Sequence, residues 1–210
     1  MQVLPAADCT SPPQGTARPN DERLWAQMQQ GHADALDALY RRYVQLLYNY
    51  GRKLVADGTV VEDAIQDLFV ELWRRRQDLS ATTSVKFYLL KAFKQKLLRR
   101  MDHDRRMLAR HARADFYDFE VAHSHEFQLI TDQISREEKE RLTRALAALT
   151  PRQKEAIFLK YYEKLSFQEV AELLNLSVKA TYKLMGRAIG TLREHMQHVS
   201  IFVIAGWLAL

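Results

Sequence analysis

The stretch that most narrows the fold is Leu165 to Leu192, LSFQEVAELLNLSVKATYKLMGRAIGTL. Its spacing predicts two short helices joined by a tight turn. Ser166, with Glu169 three residues later, forms a capping box that satisfies orphan amides at the start of the first helix. Val170, Ala171 and Leu174 give that helix one apolar face. Around Leu174, Asn175 and Leu176 the chain has to reverse, and Asn tolerates the left-handed backbone such a turn needs. Ser177 restarts the helix as a second N-cap. Val178, Thr181, Met185, Ala188 and Leu192 then recur at steps of three and four and share an inward stripe. Lys179, Tyr182, Lys183 and Arg187 fall on the opposite face, and no acidic residue occurs from Ser177 to Arg193. These features match a helix-turn-helix whose second helix is offered to a DNA major groove. The alternative is a helical hairpin with a basic, solvated face.

Helix breakers are scarce elsewhere too. The 210 residues include seven Gly and five Pro, three of the prolines before residue 14, so the chain reads as all-α. Residues 1–19, rich in Pro, Thr, Ser and Gln, read as a disordered tail that buries too little apolar area to offset ordering entropy. From Asp21 a helical pattern carries Leu24, Trp25 and Met28, pauses at Gly31 and His32, and resumes with Leu36, Leu39, Tyr40, Tyr43, Leu46 and Leu47, with Asp34 as its expected cap. After Asp57 and Gly58 comes VVEDAIQDLFVELWRRR, apolar through Val61, Ala64, Ile65, Leu68, Phe69, Leu72 and Trp73. Its polar side carries Glu62, Asp63, Gln66, Asp67 and Glu71, an acidic surface that suits a basic partner and, taken alone, equally suits plain solvation.

Residues 77–84 have a loop composition. Phe87 opens a further helix in which Phe87, Tyr88, Leu90, Phe93, Leu97 and Leu98 are interleaved with Lys91, Lys94, Lys96, Arg99 and Arg100. Rings among cations suit single-stranded DNA, since rings stack on bases while cations follow phosphates; the competing reading puts the rings in the core. Charge is unevenly distributed. Residues 84–113 hold ten Lys or Arg against two Asp, and residues 114–140 hold eight Asp or Glu against two Lys or Arg. The first block attracts polyanions and the second repels them. Residues 103–135 are charged and weakly periodic, a linker with room for a short helix and long enough to predict two blocks that move separately. The last block starts near Arg136 with Leu142, Leu146 and Leu149 on its first helix. Thr150, Pro151 and Gln153 then supply an N-cap, an N1 proline and a capping box.

A single cysteine, Cys9, excludes an intramolecular disulfide and any Cys-rich metal site, which makes a reducing cytoplasm the simplest home. His103, His111, His123 and His125 lack Cys partners and ligand-pair spacing, so no metal and no cofactor is expected. No run reaches the roughly 20 residues of a membrane span. The apolar tail at 199–210 is suited to docking on a helical domain, with a partner or a membrane surface as alternatives. No Gly-rich phosphate loop, metal cluster or nucleophile motif points to an enzyme.

Taken in order, GHADALDALYRRY, VEDAIQDLFVELWRR, FYLLKAFKQKLLRR and LTPRQKEAIFLKYYEKLSFQEVAELLNLSVKATYKLMGRAIGTLRE resemble the bacterial extracytoplasmic-function (ECF) sigma factors of the sigma-70 family. The resemblance covers about residues 21–106 and 136–196. It implies two helical domains joined by a flexible linker, a transcription initiation factor rather than an enzyme, and core RNA polymerase and promoter DNA as partners. An anti-sigma factor, which can be membrane-anchored, is a further implied partner, and no small-molecule substrate is. Residues 20–102 then correspond to sigma region 2, 103–135 to the linker, and 136–198 to sigma region 4 with its helix-turn-helix at about 166–188. Asp63, Gln66, Asp67 and Glu71 match the polymerase-binding region; Tyr88, Lys91, Lys94, Gln95 and Arg99 the part that handles the minus-10 strand; Lys179, Tyr182, Lys183 and Arg187 the minus-35 reader. Gln95 stands where the family usually has Asn, Tyr88 near a frequent Trp, and Tyr182 and Leu184 also depart, so promoter sequences do not transfer. The Asn175 turn, the Lys-Ala-Thr-Tyr segment and the apolar tail are similar to a Bacteroidetes branch linked to iron uptake. The alternative reading is a stand-alone helix-turn-helix regulator with an N-terminal helical sensor or dimerisation domain.

Overall fold

The structure, a computed structural model, describes residues 21–108, Phe119 and residues 136–195, without the side chains of residues 102–108, 136–140 and 142. The expectations for both chain tails and for the four histidines therefore fall outside the described residues or side chains. Every regular element described is helical.

Helix α1 (Asp21–Gln29) ends at Gly31, whose φ of +96° is a conformation glycine adopts without a Cβ penalty. Helix α2 (Ala33–Leu54) follows, then α3 (Gly58–Arg74) and α4 (Val85–Leu108). The expected Asp34 cap is not formed. His32 occupies the N-cap position without a side-chain bond, and Asp34 lies inside the first turn, where its charge meets the positive end of the helix dipole. Asp57 does cap α3, accepting from the Thr59 amide at 2.9 Å. The four helices close over Trp25, Leu39, Leu47, Ile65, Leu89, Phe93 and Leu97, all at most 2% exposed. At Gly51 an added Cβ would lie 2.6 Å from Val61 Cγ1 and 2.8 Å from Phe93 Cζ, so α2 can approach α3 and α4 this closely only without a side chain there.

Helix α5 (Arg136–Ala147) begins at the expected residue, and α6 (Pro151–Ile157) opens with the Thr150–Gln153 capping box and Pro151. A turn of π-helix at Phe158–Tyr162 continues α6. Helix α7 (Phe167–Leu173) starts from the Ser166–Glu169 box, and Asn175, with φ of +52°, turns the chain into α8 (Val178–His195). Helix α8 packs across α5, α6 and α7.

One boundary differs from the sequence expectation: helix α4 runs to Leu108, into the stretch read as linker. The two blocks share one buried cluster in this conformation: α4 packs on α7, and Phe119, fully buried, packs against both Tyr50 of α2 and Phe158, with ring centroids 6.4 Å and 5.7 Å away.

Candidate nucleic-acid interface

The reading face of α8 is set by its buried side. Thr181, Met185, Ala188 and Leu192 are buried as the stripe requires. Val178, in the first turn of α8, is the exception at 40% exposed. Ser177 caps the helix through the Ala180 amide at 3.1 Å. Lys179, Tyr182, Lys183 and Arg187 all lie exposed. Tyr182 is braced, its ring stacked on Phe167 of α7 at 4.0 Å and 25°, and Lys160 sits 4.6 Å over the other ring of that pair. The structure thus brings the four expected residues onto one face and adds Phe167 and Lys160 beneath them.

The α4 group is less uniform. Tyr88 is half-buried, edge-on to Trp25 at 4.8 Å and 63°, and burial raises its phenol pKa. Gln95 and Arg99 are exposed. With Tyr88, Leu68, Glu71 and Lys96 they line an open cleft of about 420 Å³. Beside it, α1 holds the 77–84 loop by two backbone carbonyls: Trp25 Nε1 donates to Ser80 O at 3.1 Å, and the Gln29 amide donates to Leu79 O. Lys91 pairs with Glu172 of α7.

Lys94 lies apart from these side chains. It is 7% exposed, and its Nζ donates to Glu155 Oε1 at 2.9 Å and Leu173 O at 3.1 Å, so in this conformation it belongs to the joint between the domains and not to a DNA-facing surface. The physical reason is that a lone buried ammonium is untenable, and the second domain supplies its counter-charge.

That joint is the part sequence reasoning missed. Glu155 is fully buried; Tyr50 donates its hydroxyl to the Oε1 that also receives Lys94, and Oε2 has no hydrogen-bond partner among the described residues. Burial raises the Glu155 carboxyl pKa, against the pull of Lys94, and raises the Tyr50 phenol well above its usual value, helped by the Glu155 charge. Nearby, Lys86 pairs with Glu163 Oε2 at 2.5 Å and also donates to the Glu163 carbonyl at 2.7 Å. Burial lifts the Glu163 carboxyl and lowers the Lys53 amine to about 8. Tyr50 and Glu155 are 105 residues apart, so no local pattern links them. The available signal was a carboxylate standing directly before Ala156, Ile157, Phe158 and Leu159, on a helix whose surroundings are apolar.

On α3, Gln66, Asp67 and Glu71 are exposed and Asp63 is half-exposed. The carboxylates are engaged within the chain: Arg100 contacts Asp63 at 2.6 Å and Asp67 at 3.3 Å, while Glu71 meets Lys96 at 2.8 Å and Arg75 at 3.4 Å. The Lys96 hydrogen bond draws the Glu71 carboxyl below its usual pKa. Solvent-facing pairs of this kind contribute about 0–1 kcal/mol each, so an incoming partner can exchange them at small cost. Among the described residues no group of three or more His, Cys, Asp or Glu is arranged to hold a metal ion, and no helix is long and apolar enough to cross a membrane.

Comparison with known proteins follows the same division. Residues 39–107 match the family model for sigma-70 region 2, and residues 139–192 match that for sigma-70 region 4, together more than half of the chain. The chain is similar to the ECF RNA polymerase sigma factor SigK of Mycobacterium ulcerans, with 26% identity over 173 residues, 81% of this chain and 90% of that protein. It is 23% identical over 180 residues to the ECF RNA polymerase sigma factor SigX of Bacillus subtilis, covering 78% of this chain and 84% of that one. In fold it is similar to CnrH, solved with the cytosolic domain of CnrY, at a TM-score of 0.53 and 24% identity, over 86% of this chain and 99% of that one. It is also similar to the sigma factor RpoE of Bartonella quintana, solved with the anti-sigma factor NepR, at a TM-score of 0.51 and 15% identity, over 78% and 98%.

Proposed function

Because this chain belongs to the ECF group of the sigma-70 family, subunits that bind core RNA polymerase and direct it to promoters by reading minus-35 and minus-10 elements and helping to melt DNA, we propose how its own residues divide that work. Helices α1 to α4 act as region 2 and α5 to α8 as region 4. Lys179, Tyr182 and Lys183 reach base edges of the minus-35 element, and Arg187, a turn further on, meets phosphate. Tyr88, Gln95 and Arg99, with the loop held by Trp25 and Gln29, receive the minus-10 strand, and Lys91 and Lys94 join them once the second domain has left. Asp63, Gln66, Asp67 and Glu71 meet the polymerase. The observation that carries this reading is the α8 face: four candidate DNA contacts exposed together above a buried stripe, with no carboxylate among them.

The chain acts by binding rather than by catalysis, and a cytoplasmic location follows from that work. An anti-sigma factor is the expected antagonist, since CnrH was solved with the cytosolic domain of CnrY and RpoE with the anti-sigma factor NepR. The Asn175 turn and the Lys-Ala-Thr-Tyr segment favour a Bacteroidetes-type iron-uptake branch.

Pull-down with core polymerase tests the α3 assignment. Asp63→Arg with Asp67→Arg should abolish capture while α1 to α4 stay folded, because electrostatic complementarity is reversed on the surface and the core is untouched. Arg100 loses its partners in this double variant, so its melting temperature is compared with that of Arg100→Ala. Full capture by a folded double variant removes α3 from the interface.

A further inference from the structure

The docked second domain meets α4 with a row of carboxylates. Glu163 takes Lys86, Glu155 takes Lys94 and Glu172 takes Lys91, three cations spaced along one side of a single helix. Phe119 closes the joint between Tyr50 and Phe158, whose rings stack at 6.0 Å and 2°. We infer that the surface formed by Glu155, Glu163 and Glu172 is an internal substitute for nucleic acid, which occupies the α4 cation row in the unassembled chain and excludes single-stranded DNA from it.

The chemistry on each side supports this. A row of ammonium groups along a helix recognises regularly spaced negative charge, whether carboxylate or phosphate. Lys94 makes the two alternatives exclusive, because at 7% exposure no external anion reaches it while Glu155 is in place. The minus-35 face is not covered, since Lys179, Tyr182, Lys183 and Arg187 remain exposed in the same conformation. The docked chain is therefore able to engage duplex DNA through α8 while its strand-handling helix is occupied. The joint is also poised to release: Glu155 leaves one buried oxygen unpartnered, a cost that docking must carry and opening relieves. Glu172 with Lys91 is the solvent-facing end of the row, at 51% and 38% exposed, and is the place where an external polyanion would first compete.

This inference rests on the reading of α4 as the helix that handles the minus-10 strand, and the experiment separates the two. The full chain carries a donor dye at residue 70 on α3 and an acceptor at residue 194 on α8, both exposed positions away from the joint. The probe is a fluorescein-labelled, mixed-sequence single-stranded DNA of about 12 nucleotides, within the span one binding fold covers. Glu172→Lys, a surface change that puts like charges together, and Phe119→Ser, which removes a ring packed against both sides of the joint, should each lower energy transfer, keep helix content and raise affinity for the single strand about tenfold. Binding of a duplex by α8 should stay within about twofold of wild type. Adding Arg99→Ala, outside the joint, to each opened variant should then reduce single-strand binding. Variants that open without gaining affinity overturn the masking. Variants that neither open nor gain affinity overturn the joint as the restraint. Opened variants that gain affinity but ignore Arg99→Ala overturn the assignment of α4 to the strand, and the inference with it.

Discussion

Lys183 and Arg187 stand one turn apart on α8, both exposed, yet they should answer different questions about a promoter. A contact to a base edge carries sequence information and a contact to phosphate does not. Lys183→Ala should change minus-35 preference at one or two positions and cost about 1–3 kcal/mol on the preferred sequence. Arg187→Ala should weaken all sites alike and reduce the salt slope by about one. Met185→Asp, which places a charge among buried residues, should unfold the domain. A randomised minus-35 library bound at two salt concentrations reads all three, and an unchanged selection with Lys183→Ala would mean that the helix faces the groove with a different side. At this scale the sequence was most legible where the chemistry is local. The Ser166 and Thr150 boxes and the left-handed Asn175 depend on neighbours within four residues, and all formed as the residue types require. Lys94 and Glu155 were illegible for the opposite reason: each looks like a solvated charge until a residue 61 positions away is brought against it.

Among the elements, the crossing of α2 over α3 and α4 at Gly51 is close enough to give a clear test of packing. Gly51→Ala gains helix propensity of about 1 kcal/mol, but its Cβ has to displace Val61 and the Phe93 ring in a filled core, where overpacking costs about 1–3 kcal/mol. The net expectation is a loss of stability. Gly186→Ala on α8 has nothing within 4 Å of the new Cβ and should gain about 0.5–1 kcal/mol. Thermal melts should therefore move in opposite directions, each by a few degrees for a chain of this size, roughly 2–4 °C per kcal/mol. A rise with Gly51→Ala would show that α2 and α4 can separate at no cost. Helix identity was readable from period and breakers, because amphipathic spacing survives whatever the helix packs on. The length of α4 was not, since its last turns carry so many charges that periodicity fades before the helix ends. The role of α1 was hidden as well: Trp25 reads as an ordinary core residue, and its donor bond to Ser80 spans 55 positions.

For the whole molecule, the joint ties domain docking to pH. Glu155 faces Tyr50 of α2 and Lys94 of α4, and Glu163 faces Lys53 of α2 and Lys86 of α4. Burial raises both carboxyl pKa values, so the docked state binds these protons more tightly than the open one. Their contribution is complete below the ordinary value of 4.5 and is lost as pH rises through the raised values. Lys53 acts in another window: its amine, lowered to about 8 from 10.5, favours docking progressively as pH climbs between those limits. Energy transfer between the domains should therefore fall as pH rises from 4.5 into the neutral range and recover in part above 8. Glu155→Gln should flatten the acidic limb, and a steady rise from pH 4.5 to 7 in wild type would contradict the assignment.

Phe119 adds a consequence of length. From residue 108 to residue 136 the connecting chain can extend to roughly 90–100 Å at most, the rise of about 28 base pairs. A ring that keeps its seat on Tyr50 after the second domain leaves would shorten the paying-out length to the part beyond residue 119, roughly 55–60 Å, or about 17 base pairs. One aromatic side chain would then work as a stop on a ruler, and the distance between two DNA elements that a single molecule can hold at once would depend on whether that stop is engaged.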